Sequence, residues 1–346
     1  MDMPGAIAKV IAGEDLPHEE MLDVMDLIMS GEATDAQIGG FLVGLRIKGE
    51  TIDEIRAGAT VMRQLVTPVS TQRTNIVDTC GTGGSGSNKF NVSTASAFVA
   101  ASVGVAVAKH GNRGASSKSG SADVLEAAGA ELALEPEQVG RCVDTVGVGF
   151  LFAQRHHSAM KHAIGPRKEM IVRTIFNLLG PLTNPAGAKR QLIGVYDRQW
   201  VKPVAEVLKA MGSEHVMVVH SEDGLDEISI AAPTFIAELK GGEVREHQVS
   251  PSDFGMTTGS LEGLVIEDSQ QSLALVKQSL DGTHEDASNI VALNAGAAIY
   301  VSGMADTLVE GVKLARESIS RGLATAKLEE FVAFTKSMSA PAAIVT

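Results

Sequence analysis

The fold is decided at Asp78-Thr79-Cys80-Gly81-Thr82-Gly83-Gly84-Ser85-Gly86, where a strand-like run ends and a glycine-rich loop begins. Residues 76–78 have the β-branched pattern of a strand, and residues 93–102 have the apolar pattern of a helix. Four glycines in the loop let backbone amides approach an anion without a Cβ in the way. The following helix adds its positive N-terminal end. The order of strand, loop and helix therefore predicts a phosphate-binding loop.

A glycine cluster can also be an ordinary flexible loop, and that alternative stays open for residues 78–86. The stretch is not a Walker A loop, because no Gly-Lys-Ser/Thr closes it. It is also a poor Rossmann fingerprint, because no acidic residue ends a second strand at the expected distance. Its position between a strand and a helix favours phosphate.

The segments after the loop alternate between strand-like and helix-like patterns. β-branched runs at residues 103–109, 191–196 and 215–220 predict strands, and apolar periodicity at residues 121–128 and 200–211 predicts helices. The tail from residue 286 is helical again. Alternation of this kind is typical of a mostly parallel sheet that is covered by helices.

The first 66 residues have only helical patterns. Thr34 and Gln37, and again Thr51 and Glu54, have capping-box spacing and precede apolar residues at steps of three and four. Residues 167–179 are also helix-like and are expected to pack with these N-terminal helices. We therefore predict an α/β protein with a small all-helical domain and a larger α/β domain that has a central, mostly parallel sheet. The small domain is assigned residues 1–68, joined by about 160–184, and the larger domain residues 73–159 and 185–346.

The composition limits the class of protein. A chain of 346 residues suits two domains, and a net charge of -13 disfavours nucleic acid and anionic membranes as partners. The N-terminus has no basic segment followed by an apolar run, and the longest nearly apolar stretch, residues 97–108, is too short to span a bilayer. Only two cysteines occur, far apart, so we expect a reduced, cytoplasmic protein.

Polar side chains collect around the predicted loop. Asn91, Ser93 and Thr94 start the next helix, where plain N-capping is the commoner role, but three such residues exceed what one cap needs. Their groups suit phosphate oxygens, and a serine hydroxyl also ligates Mg²⁺. Lys109 ends the next predicted strand, where it is placed to neutralise a pyrophosphate. His110 alone is more typical of a structural residue.

Two further clusters suggest metal binding. Asp226 and Glu227 follow the predicted strand at residues 215–220. Adjacent carboxylates are usually solvated charge, but in a phosphate-binding enzyme they are credible Mg²⁺ ligands. His156 and His157 are also paired, yet no third ligand has a familiar spacing, which argues against zinc.

In order along the chain, these segments resemble the anthranilate phosphoribosyltransferase family. The resemblance covers nearly the whole chain. The motifs that carry it are residues 31–34, 45–51, 78–84, 91–94, 109–113, 116–125, 174–185, 224–229 and 293–298.

The resemblance implies a fold shared with pyrimidine nucleoside phosphorylases, with a cleft between the two domains, and a homodimer joined through the small domains. It implies an Mg²⁺-dependent pentosyl transfer, with two ions expected per subunit, in tryptophan biosynthesis. Phosphoribose moves from phosphoribosyl pyrophosphate to the amino group of anthranilate. The ribosyl carbon becomes oxocarbenium-like and the acceptor amine is neutral, so alignment and charge stabilisation matter more than a protein nucleophile.

The resemblance also implies roles for individual residues, with no residue acting as a nucleophile. One departure is Ser158, where the family commonly has proline, and this leaves the role of His157 open. The implied donor site is Gly81, Thr82, Gly83, Gly84, Asn91, Ser93, Thr94, Lys109 and Ser121; the anthranilate site is Gly81, His110, Asn112, His157 and Arg167; the metal ligands are Ser93, Asp226 and Glu227.

Two rival functions remain at this stage. A pyrimidine nucleoside phosphorylase would share the glycine loop but would bind free phosphate and a nucleoside; residues 109–113 and the helix at Arg167 argue against it. A non-catalytic homologue that binds nucleic acid is disfavoured by the net charge of -13 and by the intact Asp226-Glu227 pair.

Overall fold

A computed structural model describes residues 1–84, 86–114 and 117–339; Ser85 and Ser116, which belong to two of the motifs above, lie outside the described residues. The helices are α1 (Met3–Ile11), α2 (His18–Ser30), α3 (Asp35–Lys48), α4 (Ile52–Leu65), α5 (Val92–Ser102), α6 (Ser121–Ala127), α7 (Pro136–Val146), α8 (Ala153–His156), α9 (Lys161–Met170), α10 (Ile175–Leu179), α11 (Val201–Ala210), α12 (Ser269–Asp281), α13 (Glu285–Ser302), α14 (Leu308–Ser320) and α15 (Leu323–Ser339). The strands are β1 (Val77–Gly81), β2 (Val107–Gly111), β3 (Val148–Phe152), β4 (Arg190–Gly194), β5 (His215–Ser221), β6 (Thr234–Lys240) and β7 (Glu243–Val249).

The strands form one seven-stranded sheet in the order β3-β2-β1-β4-β5-β6-β7. β1 to β5 pair in parallel, and β6 and β7 extend the sheet as an antiparallel hairpin. The strand order runs outward in both directions from the β1–β4 pair, which makes the carboxyl ends of these two strands a topological switch point where ligands bind in such sheets. The predicted α/β architecture with a mostly parallel sheet is confirmed.

The N-terminal helices begin where their caps predict. The side chains of Thr34 and Thr51 each accept a hydrogen bond from the backbone amide three residues on. In return, the side chains of Gln37 and Glu54 accept from the backbone amides of Thr34 and Thr51. The Glu54 carboxylate can be fully buried because it also accepts hydrogen bonds from Leu16 N at 2.9 Å and from the Lys48 ammonium. These reciprocal bonds fix the helix starts of the small bundle.

The later helical stretch does pack against this bundle, as predicted. α9 lies on α2 and α3, and α10 lies on α3 and α4. The helical pattern expected over residues 167–179 is interrupted, however, because α9 ends at Met170 and Ile171 adopts a left-handed φ of 53° before α10 begins. This break places residues 171–174 between the bundle and the sheet edge.

Hydrophobic cores cover both faces of the sheet. On one face α5 packs against β1 to β3 and α13 packs against β1, β4 and β5, while α12, α14 and α15 pack on these two helices. On the other face α11 and the N-terminal bundle pack against β4 to β6. The strand expected at residues 103–109 starts only at Val107, because a turn with Gly104 at a φ of 105° precedes it. No helix in the described part of the chain combines the length and hydropathy needed to cross a membrane.

Candidate functional site

The glycine loop and the acidic loop meet at the switch point of the sheet. Gly81 at the end of β1 pairs with Gly194 at the end of β4. A Cβ at Gly81 would lie 3.1 Å from Asp226 Oδ2 and 3.2 Å from Gly194 O. Asp226 therefore lies directly beside the loop, although the two are far apart in sequence. The carboxyl ends of parallel strands converge on one edge of the sheet, and this convergence brings the two loops together.

The loop conformation depends on glycine and on contacts to the end of β4. Gly83 and Gly84 have φ values of 64° and 80°, a region that disfavours residues with a Cβ. Thr82 donates from its amide to Gly194 O at 2.8 Å, and its hydroxyl accepts from the Tyr196 amide at 3.0 Å. The loop is thereby fixed at Thr82, while Gly83 and Gly84 supply its curvature.

Asn91 does not act as a side-chain cap of α5. Its Oδ1 accepts from the hydroxyls of Ser119 at 2.9 Å and Ser272 at 2.7 Å, and its Nδ2 donates to Ser119 O at 3.2 Å. Thr94 is buried, and its hydroxyl has no hydrogen-bond partner among the described residues. The plain N-capping alternative for this cluster is therefore wrong for Asn91, which instead joins three segments around the loop.

Lys109 is the buried cation beneath the loop. Its ammonium donates to the carbonyl of Thr79 and to Ser93 Oγ, the latter at 3.2 Å. Burial lowers the pKa of Lys109, while the nearby carboxyls of Asp78 and Glu227 oppose that shift. The expectation that Lys109 ends its strand is wrong, because β2 continues to Gly111 and Lys109 lies in its middle. The side chain is only 3% exposed, so it lies below the loop rather than in solvent.

Asp78 holds the ends of β1 and β2 together. Its Oδ1 accepts from the His110 amide at 3.0 Å, and its Oδ2 accepts from Asn184 Nδ2 at 2.8 Å. Asn184 Nδ2 also donates to Ala108 O at 2.8 Å. Burial raises the pKa of Asp78 despite these bonds and the nearby Lys109. The side chain is fully buried, so its role in the structure is to join the two strands.

His110 and His157 form a pair, whereas the neighbouring His156 points away from them. His157 Nε2 lies 3.2 Å from His110 Nε2, with the two ring centroids 5.0 Å apart. Burial lowers the pKa of His110 to about 3 and that of His157 to about 4. His156 turns the other way, with Nδ1 3.0 Å from Thr67 O. The sequence neighbours His156 and His157 therefore form no joint site, and His110 and His157 are a neutral pair at pH 7.

The two remaining residues predicted for anthranilate, Asn112 and Arg167, are held differently. Asn112 Oδ1 accepts from the Arg113 amide at 2.8 Å and from Gln154 Nε2 at 3.4 Å, and the predicted donor residue Ser121 donates from its Oγ to Asn112 O at 3.3 Å. Arg167 lies 5.1 Å from the centroid of the Phe176 ring. Burial lowers the pKa of Arg167, yet its guanidinium has no hydrogen-bond or ion-pair partner in the described part of the chain. A half-buried, unpaired guanidinium is suited to receive a carboxylate.

The acidic loop is held in place by the long helix α13. Asn294 accepts from Ile228 N at 2.9 Å and donates to Ile228 O at 2.9 Å. Burial and the neighbouring Asp226 and Asp223 raise the pKa of Glu227 well above its ordinary value, while Lys109 opposes the shift. A carboxyl destabilised in this way gains from a cation placed beside it. Asn294 is buried and fixes the residues that follow the pair.

The donor groups at this place fit Mg²⁺ only in part. Asp226, Glu227 and Ser93 are oxygen donors of the kind that Mg²⁺ prefers. No group of three or more His, Cys, Asp or Glu side chains in the described residues is arranged to hold a metal ion. The predicted set contains only two carboxylates, so oxygens from a bound anion and from water are needed to complete a coordination shell.

Sequence reasoning missed several residues that build the site. Asn184 and Asn294 lie in quoted motifs, but their buried hydrogen bonds depend on tertiary contacts that no spacing predicts. Arg173 was also missed, although its guanidinium contacts the carbonyl of Gly84. The one signal for Arg173 was its position beside the motif at residues 174–185.

Comparisons with known proteins agree with this geometry. Residues 4–66 match the helical bundle domain of a glycosyl transferase family, and residues 73–325 match its a/b domain. An anthranilate phosphoribosyltransferase from Marinomonas sp. (strain MWYL1) is 62% identical over 343 residues, covering 99% of each chain.

Solved structures are similar over the same length. The anthranilate phosphoribosyltransferase of Thermus thermophilus is 43% identical, with a TM-score of 0.90 and coverage of 96% of this chain and 99% of that one. The enzyme of Saccharomyces cerevisiae, solved in complex with PRPP and Mg, is 25% identical, with a TM-score of 0.87 and coverage of 97% and 98%.

A helical bundle joined to an α/β domain, with a polar site at the sheet edge, defines a glycosyl transferase of the two-domain class. Within that class, the chain belongs to the anthranilate phosphoribosyltransferase family.

Proposed function

We propose that the chain transfers 5-phosphoribose from phosphoribosyl pyrophosphate to the amino group of anthranilate, giving N-(5-phosphoribosyl)anthranilate and pyrophosphate in tryptophan biosynthesis. The observation that carries the proposal is the meeting of the glycine loop with Asp226 at the sheet's switch point, above Lys109. The relatives' names and the PRPP and Mg in the yeast structure support it.

The donor site is proposed on the glycine-loop side of the cleft. The positive-φ glycines give the pyrophosphate close access to backbone amides, and Lys109 supplies buried positive charge below them. Asn91 holds neighbouring segments in register around the loop. The proposed donor residues are Gly81, Thr82, Gly83, Gly84, Asn91, Ser93, Thr94, Lys109 and Ser121.

Asp226, Glu227 and Ser93 are proposed to hold Mg²⁺, with two ions per subunit. A bound Mg²⁺ supplies charge stabilisation for a departing pyrophosphate. The raised pKa of Glu227 supports the assignment, because a nearby cation stabilises its charged form. Lys109 lies on the same side and adds to the positive field around the leaving oxygens.

Anthranilate is proposed to bind on the side of the histidine pair, at Gly81, His110, Asn112, His157 and Arg167. Arg167 binds the carboxylate and thereby orients the amine toward the ribosyl carbon. The depressed pKa values of His110 and His157 keep both rings uncharged, so neither competes with Arg167 for the carboxylate. The roles of these residues are orientation and exclusion of water rather than nucleophilic attack.

A homodimer through the helical domain is also proposed. Ile47 is 81% exposed on α3, Ile11 is 74% exposed at the end of α1, and Ile171 is 87% exposed after α9. Exposed apolar side chains gathered on one part of a molecule mark interaction surfaces. Sedimentation should give a dimer for the wild type and a monomer for Ile47→Asp; a monomeric wild type would contradict the dimer.

The domain division into residues 1–68, joined by about 160–184, and residues 73–159 with 185–346 remains a proposal. The helices α9 and α10, which pack on the N-terminal bundle, support it. We also propose that the enzyme works in the cytoplasm, where its two free cysteines, Cys80 and Cys142, stay reduced.

A fluorescence assay tests the function directly. Anthranilate fluorescence should disappear only when phosphoribosyl pyrophosphate and Mg²⁺ are both present. Loss of anthranilate without the donor, or no loss with it, would contradict the proposal. Thymidine or uridine with inorganic phosphate is the matched control, since turnover there would support a pyrimidine nucleoside phosphorylase instead.

A further inference from the structure

Arg173 lies in the break between α9 and α10, on the segment that packs with the helical bundle. Its Nη2 donates to the carbonyl of Gly84, and a Cβ at Gly84 would lie 3.1 Å from its Nε. Its guanidinium also lies over the ring of Tyr196, 4.5 Å from the centroid. Arg173 has no ion-pair partner in the described part of the chain, so its charge is not neutralised.

Tyr196 holds the opposite end of the same loop. Its backbone amide donates to Thr82 Oγ1 at 3.0 Å, just after β4 ends. Residues 82–84 are therefore held at one end by Tyr196 and at the other by Arg173, and these two side chains are stacked on each other. We call this pair the loop clamp.

The clamp has an electrostatic consequence for the loop. A backbone carbonyl that faces a phosphate repels it, whereas an amide attracts it. Because Gly84 has a φ of 80°, its peptide groups can turn either way at little steric cost. A guanidinium bound to the Gly84 carbonyl holds that oxygen away from an anion and adds positive charge beside it.

We propose that Arg173, stacked on Tyr196, is a positioning residue that holds the glycine loop in its phosphate-binding conformation. The inference rests on the proposed binding of the donor at this loop. Arg173 lies on the segment attached to the helical bundle, so it also transmits the position of the bundle to the donor site. Arg167 precedes it on the same segment and is proposed to serve the acceptor, which gives the two side chains separable effects.

Steady-state kinetics of Arg173→Ala test the clamp. The KM for phosphoribosyl pyrophosphate should rise about ten- to a hundredfold, as expected for the loss of one charge-assisted hydrogen bond. The KM for anthranilate and the Tm should stay close to the wild type. Arg173→Lys should recover only part of the loss, because lysine lacks the planar fork that both donates and stacks. Tyr196→Leu, which removes the stacked ring but keeps the backbone amide bond to Thr82, should raise the KM for phosphoribosyl pyrophosphate by less than Arg173→Ala does.

The control is Arg198→Ala. Arg198 stacks on Phe235 with its guanidinium 3.5 Å from the ring centroid, which is the same kind of contact without a bond to the loop. The KM of the Arg198→Ala variant for phosphoribosyl pyrophosphate should equal that of the wild type. An unchanged donor KM in Arg173→Ala, or equal rises in both KM values, would overturn the clamp.

Binding of magnesium pyrophosphate, measured by calorimetry, separates this inference from the proposed function. If the wild type binds pyrophosphate and Arg173→Ala binds it at least about tenfold more weakly, the clamp stands even where turnover fails. If both proteins bind it equally, the clamp is wrong even where turnover is normal.

Discussion

The two sides of the cleft are built differently. On the donor side, Asp78, Lys109 and Asn294 are buried and hydrogen-bonded before any ligand is present. On the proposed acceptor side, Arg167 contacts the Phe176 ring, but its guanidinium has no hydrogen-bond or ion-pair partner in the described residues. The proposed donor side is thus preorganised for a strongly charged ligand, while on the proposed acceptor side the charge of Arg167 is left for a ligand to pair.

The largest effect is expected from removing the charges of the acidic pair. Asp226→Asn with Glu227→Gln keeps side-chain size but removes two negative charges. We expect kcat/KM for the donor to fall at least about a hundredfold, with a raised Mg²⁺ requirement and an unchanged Tm. Steady-state kinetics over a range of Mg²⁺ concentrations measure kcat/KM and the Mg²⁺ requirement. Glu222→Gln, at an exposed carboxylate nearby, is the control. Wild-type Mg²⁺ dependence in the double variant would make the pair ordinary surface charge.

A smaller effect is expected on the acceptor side. Arg167→Ala should raise the KM for anthranilate about ten- to a hundredfold, because a charge-assisted bond to the carboxylate is lost. The KM for the donor should change little, since Arg167 makes no bond to the described residues of the loop. Lys168→Ala, at the exposed neighbour, should leave both values unchanged. Equal losses for donor and acceptor would remove the distinction between the two sides.

The smallest effect concerns stability rather than rate. The pKa of His110 lies near 3 and that of His157 near 4, both below the ordinary value of 6.5. Below pH 6.5 the unfolded chain therefore binds more protons than the folded one, so stability is complete above that pH and falls as the pH drops toward these values. Urea unfolding at pH 7.5 and at pH 5 measures how much the free energy of unfolding falls between the two. That fall should be smaller for His157→Gln than for the wild type. His247→Gln, on exposed β7, should lose as much as the wild type; equal losses in all three would contradict the role of the pair.

The meeting of the glycine loop and the acidic loop could be predicted from the sequence better than the arrangement of the histidines, for a physical reason. Strand ends in a parallel sheet converge, so the order of segments alone was enough to bring Asp226 to Gly81. The separation of His156 from His157 could not be predicted, because it depends on a short helix that directs one ring to Thr67 and the other to His110.

Two strands of the sheet, β3 and β7, also could not be predicted from the hydrophobic pattern. β7 is largely exposed and carries charged residues along both faces, so it lacks the apolar alternation that marks a strand. β3 has only five residues, all buried, and cannot be distinguished from a helical fragment by periodicity. The burial of Lys109 likewise depends on the packing of Thr79 and Ser93 above it, which no local spacing encodes.

The contact between the two loops extends to a residue without any functional group. A Cβ at Gly194 would lie 1.6 Å from the backbone oxygen of Asp226, and Gly194 has no positive φ that would explain its lack of a side chain. Gly212 is the opposite case, with a φ of 82° and open space where a Cβ would lie. In a saturation-mutagenesis screen, even alanine at Gly194 would displace the acidic loop and be scored as an active-site defect. A designer who reshapes this site for another acceptor should therefore keep Gly194 unchanged, because the position of the acidic loop depends on it.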